Sequence, residues 1–378
     1  MARADRGVAS ARELAAPNVR ARFLAFGDTG IGTRDQEDIA VTMRTTCQRL
    51  GCEFAVHLGD IIYPRGVLST DDPKLHERFE LPYAPLGIPI FLSLGNHDYY
   101  GDPDMAVAYT HKSPSKRWIL PARHHTFLQG GIRFIALDTN KPDKTQAAWL
   151  RGVLADSRRA GEPWVIAFGH HPRQSFGAHG HADEQLADWL DRNLCYRVDL
   201  FLAGHEHDKQ ILKPRCGVHQ VISGAGAQLR PVGSGPQTVW ARSSLGIAWL
   251  EAVGPTLLLR FLDQKGDVEF EQVWTRARAD HCPADAVCDG TCASDPDCAG
   301  VACTADGKCN DKCTDDPDCT PPGACACDRE PLACEVRERD GTLPCACDAA
   351  CQVGQLPCIE DGACDDQCKV GTDVDCRP

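Results

Sequence analysis

The chain has 378 residues, 53 acidic against 40 basic, a formal net charge of −13 and 22 cysteines. That length allows two or three domains with a sizeable buried core, and no run is apolar for long enough to span a membrane. The acidity is local. Residues 281–378 carry 21 Asp and Glu, 7 Lys and Arg, and 18 of the cysteines, whereas every Phe, Trp and Tyr lies before His281. The first 280 residues are therefore close to neutral and own the aromatic core, and nucleic acid is not an expected partner.

Residues 1–19 read as a flexible arm without the apolar segment of a secretory signal. The cysteine density nevertheless points to an oxidising, secreted or cell-surface location. Residues 20–276 alternate apolar runs with helical stretches. Five of these runs end in a glycine followed at once by a metal-type ligand, at Gly27-Asp28, Gly59-Asp60, Gly95-Asn96, Gly169-His170 and Gly204-His205. Short apolar runs closed by glycine are the mark of buried parallel strands, and ligands collect beyond the carboxyl ends of such strands. The expectation is a metal site assembled from one sheet. Helices are expected over 36–50, 144–159 and 183–194, and strands over 218–223, 246–252, 256–262 and 268–274, the last three as an antiparallel meander. Runs of βα units followed by a meander predict an α/β fold of two packed mixed β-sheets flanked by helices, a four-layer α-β-β-α sandwich. Cys47, Cys52, Cys195 and Cys216 are either two bridges or buried thiols.

Residues 277–378 form a Cys-rich repeat segment. Cys282, Cys288, Cys292 and Cys298 follow C-x5-C-x3-C-x5-C, Cys303, Cys309, Cys313 and Cys319 repeat it, and Cys358, Cys364, Cys368 and Cys376 repeat it with two extra residues in the last gap. So little apolar side chain requires a disulfide framework, with connectivity left open. The acidic SDPDC and DDPDC segments are candidate calcium loops, with solvated loops the favoured reading. The segment is also a candidate anchor for cell surface or matrix. One reading of the whole chain makes that surface binding its main function.

The ligand types define the chemistry. Asp28 stands in GDTG, Asp60 and Tyr63 in GDIIY, Asn96 and His97 in GNHD, His170 in GHHP, and His205 and His207 in GHEH. Oxygen donors beside imidazoles suit iron, zinc or manganese rather than a thiolate-rich zinc site. Two metals held together clamp the attacking and leaving oxygens of a phosphoryl displacement, and a carboxylate such as Asp60 has two oxygens with which to bridge them. His57, His76, His111, His124, His125 and His219 read as structural or surface residues. His171, beside a ligand, is equally compatible with packing and with substrate contact.

The ordered set D-x-G, G-D, G-N-H, a lone His and G-H-x-H resembles the calcineurin-like metallophosphoesterases. Within them, a tyrosine three residues after the bridging aspartate resembles the purple acid phosphatases, most closely the small, tartrate-resistant type, with further similarity at Ser115–Trp118, Leu137–Thr139 and Ser223–Gly226. The resemblance covers residues 20–274. It implies an acid phosphatase that hydrolyses phosphate monoesters of small molecules or phosphoproteins by metal-hydroxide attack. Fe(III) would be held by Asp28, Tyr63, His207 and the bridging Asp60. A divalent Fe, Zn or Mn would be held by Asn96, His170, His205 and Asp60. His97 and His179 would contact the phosphate and protonate the leaving oxygen, with His181 the alternative to His179, and Asp98 would orient His97. A phosphodiesterase or nucleotide pyrophosphatase on the same scaffold is the rival enzyme reading. Mammalian members carry a long, protease-sensitive loop after the LDT strand; here residues 140–143 lead almost directly into a helix, so an open site is expected.

Overall fold

The computed structural model describes residues 20–276. The expected arm and the Cys-rich segment, with its repeats, calcium loops and anchor, lie outside the described residues. Fourteen strands are described: β1 (Arg20–Phe26), β2 (Phe54–His57), β3 (Ile90–Leu92), β4 (Trp118–Ile119), β5 (His125–Gln129), β6 (Ile132–Ala136), β7 (Val165–Phe168), β8 (Leu200–Ala203), β9 (Lys209–Arg215), β10 (Val218–Ser223), β11 (Thr238–Arg242), β12 (Gly246–Val253), β13 (Thr256–Asp263) and β14 (Val268–Thr275). They form two seven-stranded sheets, ordered β14-β13-β12-β1-β2-β3-β4 and β11-β9-β10-β8-β7-β6-β5. Both sheets are mixed. β1 pairs in parallel with β2 and antiparallel with β12, and β10 in parallel with β8 and antiparallel with β9.

The period of two along a strand sends alternate side chains to opposite faces, and that alternation builds the layers. In β1, Phe23 and Ala25 join Phe54, Phe134, Phe168 and Leu202 between the sheets. Leu24 and Phe26 turn the other way, onto Ile39 and Met43 of the helix Arg34–Leu50. Behind the second sheet, Ile135 and Phe201 pack on Leu150 and Leu154 of Lys144–Ala160 and on Leu186 and Leu190 of Glu184–Leu194. Each fully buried Phe or Leu contributes about 1.5–3 kcal/mol over exposure. The result is the expected helix–sheet–sheet–helix sandwich. The meander is β12-β13-β14. The third expected helix begins one residue late because Asp183 is its cap, accepting from the Leu186 amide at 2.8 Å. Cys47 pairs with Cys52 and Cys195 with Cys216.

One expectation needs correction. The five glycine junctions do not share a sheet: β1, β2 and β3 belong to the first, β7 and β8 to the second. All five runs are fully buried parallel strands, and burial erases the hydrophobic signature that would have told one sheet from two. Facing sheets present their carboxyl ends to a common edge, where the five junctions meet.

Candidate metal centre

The strand-end turns aim the donors inward through unusual backbone. Asp28, Asp60 and His205 have φ of 59°, 54° and 70°, a left-handed conformation that costs an L-residue roughly 1–3 kcal/mol and collects at functional sites. Two neighbouring glycines are needed for close approach. A Cβ on Gly95 would stand 2.1 Å from Asp60 Oδ1, and one on Gly204 would stand 2.6 Å from Asp28 Oδ2.

The donor atoms fall into two groups that share Asp60. In the first, the Tyr63 hydroxyl lies 3.2 Å from Asp28 Oδ1, 2.8 Å from Asp60 Oδ2 and 3.1 Å from His207 Nε2. In the second, Asn96 Oδ1 lies 3.0 Å from His170 Nε2 and 3.1 Å from His205 Nδ1, which are 3.1 Å from each other, and His170 Nε2 is 3.5 Å from Asp60 Oδ2. Backbone amides hold the carboxylates: His97 donates to Asp60 Oδ1 at 2.8 Å and His205 to Asp28 Oδ2 at 2.9 Å. Every oxygen donor comes from the first sheet and every nitrogen donor from the second.

These contacts lack the protons to be hydrogen bonds among themselves. Tyr63 has one hydroxyl proton for three acceptors. His170 donates Nδ1–H to the Leu58 carbonyl at 2.9 Å, so Nε2 of the neutral ring aims a lone pair at Asn96 Oδ1. Burial pushes His205 down to about 2, with neighbouring imidazoles and Arg230 adding to it. Burial, then Arg230, pushes His207 down to about 4. His170 is held well below the ordinary histidine range, again by burial. Burial, and then the Asp60 charge, holds the Asp28 carboxyl well above the usual carboxylate range, and burial also raises Asp60. Imidazoles that refuse protons, beside carboxylates short of positive charge, are a donor set that fits two cations.

His97 and His179 lie on the two flanks. The His97 ring is 4.3 Å from the Tyr63 ring, with Nε2 3.9 Å from Asp60 Oδ2, and the His179 ring stacks on His205 at 4.2 Å. His181 turns away, accepting from the Ser175 amide at 3.2 Å and packing on Phe176. Asp98 does not orient the His97 ring. Its carboxylate accepts from the amides of Ile61, Ile62 and Gly95 at 3.1, 3.3 and 2.8 Å and so braces the turns that carry Asp60 and Asn96. Nδ1 of His97 instead donates to the Pro64 carbonyl at 2.7 Å. Burial and the Asp60 charge push Asp98 up to about 8.

The family model for calcineurin-like phosphoesterases matches residues 21–209, half of the chain. The chain belongs to that family. Tartrate-resistant acid phosphatase type 5 of Sus scrofa is 27% identical over 312 residues, which cover 70% of this chain and 90% of that protein. Among solved structures, GAP50, described as the anchor in the inner membrane complex of Plasmodium, superposes with a TM-score of 0.62 at 22% identity, covering 69% of this chain and 90% of its own. Purple acid phosphatase PPD1 from yellow lupin (Lupinus luteus) seeds superposes with a TM-score of 0.59 at 19% identity, covering 71% of this chain and 56% of its own. The fold therefore serves both an anchor and a phosphatase.

This calcineurin-like phosphoesterase surrounds its donors with groups that the sequence reading left out. Buried Glu206, between His205 and His207, accepts from the amides of His179 and Gly180 at 3.1 and 2.9 Å and lies 3.3 Å from His179 Nδ1. Its place inside GHEH was the available signal. Arg230 reaches His179 Nε2 at 2.5 Å, and nothing in its surrounding sequence marks it. His171 is fixed by Thr139, Oγ1 to Nδ1 at 2.9 Å, and its ring lies 4.6 Å from that of His205.

Proposed function

We propose that the chain is an acid phosphatase, a phosphoric monoester hydrolase with a dinuclear Fe(III)–M(II) centre. The observation that carries this reading is the pair of proton-poor donor groups sharing Asp60. Asp28, Tyr63, His207 and Asp60 would hold Fe(III), since phenolate and carboxylates suit the higher charge. Asn96, His170, His205 and the other oxygen of Asp60 would hold a divalent Fe, Zn or Mn, for which neutral donors suffice. When bound, two such cations lower the pKa of a water and neutralise the charge that gathers on the phosphoryl oxygens.

The chain's own residues supply the rest. Asp60 is fixed by the His97 amide, so its two oxygens keep one orientation. His97 has its Nδ1 proton committed to Pro64, which leaves Nε2 facing the centre for phosphate contact. His179, opposite, hands a proton to the departing oxygen, a role worth roughly 10²–10⁴ in rate. Substrates are phosphorylated small molecules or phosphoproteins. Two disulfides in the described region support secretion or cell-surface display, and among the described residues no helix is long and apolar enough to cross a membrane.

The test is the colour of the purified protein. Tyr63 on Fe(III) gives a visible charge-transfer band that Tyr63→Phe abolishes. A colourless enzyme that works only with added manganese, with a spectrum indifferent to Tyr63→Phe, overturns the iron assignment. Faster turnover of bis(p-nitrophenyl) phosphate than of p-nitrophenyl phosphate would favour a diesterase.

A further inference from the structure

The loop between β10 and β11 brings one arginine to the centre. Its start is seated against the donors: a Cβ on Gly224 would stand 2.5 Å from Asp28 Oδ2 and 2.2 Å from the Glu206 carbonyl. Further along, the Arg230 amide donates to the His207 carbonyl at 3.0 Å, and the Arg230 carbonyl accepts from Ser243 Oγ at 2.8 Å. The backbone is thus pinned on both sides, and the half-exposed guanidinium is the part left to move.

The guanidinium's company is unusual for this chain. Arg22, Arg133, Arg173, Arg215 and Arg260 each meet a carboxylate. Among the described residues, Arg230 has no carboxylate within 4.0 Å and donates Nη1 to His179 Nε2 instead. Glu206 lies on the far side of that imidazole, at Nδ1. The Arg230 charge also reaches the metal donors, since it disfavours protonation of both His205 and His207. A guanidinium aimed at an imidazole, beside a centre built for two cations, leaves positive charge that only an anion compensates.

We infer that Arg230 is a specificity-determining residue that takes a second negative group on the leaving side of the substrate. The inference rests on the phosphatase reading and deepens it. With the reacting phosphorus over the donors and His179 at the departing oxygen, a group one bond beyond that oxygen falls against Arg230. The favoured substrates are then phosphoanhydrides, such as inorganic pyrophosphate or a nucleoside diphosphate. For pyrophosphate, water oxygen bonds to one phosphorus and the bridging P–O bond breaks. A proton passes to the departing oxygen, two phosphates result, and no redox partner is involved.

The experiment is calorimetric binding of methylenebisphosphonate and methylphosphonate to the metal-loaded full chain, for wild type, Arg230→Ala and Arg230→Lys. The expected result is that Arg230→Ala weakens the bisphosphonate at least tenfold more than the monophosphonate, with Arg230→Lys in between. Equal weakening of the two probes, or none, overturns the inference. The readout does not need turnover. The tenfold differential in a chain that hydrolyses no phosphate ester would sink the phosphatase reading and leave the anion site standing, while equal weakening in an active phosphatase does the reverse.

Discussion

His57 is completely buried on β2, its Nε2 2.9 Å from Thr29 Oγ1 beside Asp28. Burial pushes its imidazole down to about 3. An unfolded chain takes up that proton at about 6.5, so the neutral ring's contribution to stability is complete above that pH. It is lost as the pH falls from about 6.5 toward about 3, at ~1.4 kcal/mol per unit. Between pH 7 and 5, His57→Gln should lose about 2 kcal/mol less than wild type in urea denaturation; equal acid losses would show that His57 does not titrate on unfolding. The seven proposed metal donors were legible in the sequence because each stands at, or within three residues of, a strand-end glycine. Glu206 and Arg230 were not. Their contact with His179 spans 27 and 51 residues, and a charged residue in a loop carries no mark of what lies across from it.

At the scale of elements, strand-end turns trade backbone strain for convergence, with Asp28, Asp60 and His205 all left-handed. Gly95→Ala changes no donor, yet its Cβ would meet Asp60 Oδ1. We expect it to lower bound metal and activity at least tenfold, measured by metal analysis of the purified variant; normal metal content would show that the turn yields. A four-residue link, 140–143, joins the LDT segment to the helix Lys144–Ala160, with Pro142 directly after the tryptic candidate Lys141. Limited trypsin treatment should leave kcat within about twofold, and a large gain would reveal a restraining segment elsewhere. Helix and meander boundaries were legible to within two residues, because caps and turn residues leave local signals. The partition of the five buried strands between two sheets was not, since a run buried on both faces has no alternation to read.

Across the whole molecule, the two sheets are joined by the buried pair of Lys209 on β9 and Glu269 on β14, with the Leu245 and Leu262 carbonyls 3.3 and 3.4 Å from Lys209 Nζ. Glu269→Ala strands a buried ammonium and should cost about 3–5 kcal/mol, read from denaturant midpoints. Adding Lys209→Met should restore most of it, and a single variant as stable as wild type would mean that water reaches the ammonium. The same two-sheet construction governs the centre. Oxygen donors belong to residues 28–96 and imidazoles to residues 170–207, so the amino-terminal part of the chain leaves the ribosome carrying half a chelate. No complete coordination set exists until the second sheet has docked on the first. Cofactor acquisition is thereby placed at the end of maturation, and a protein that has taken up its metals has certified its own assembly.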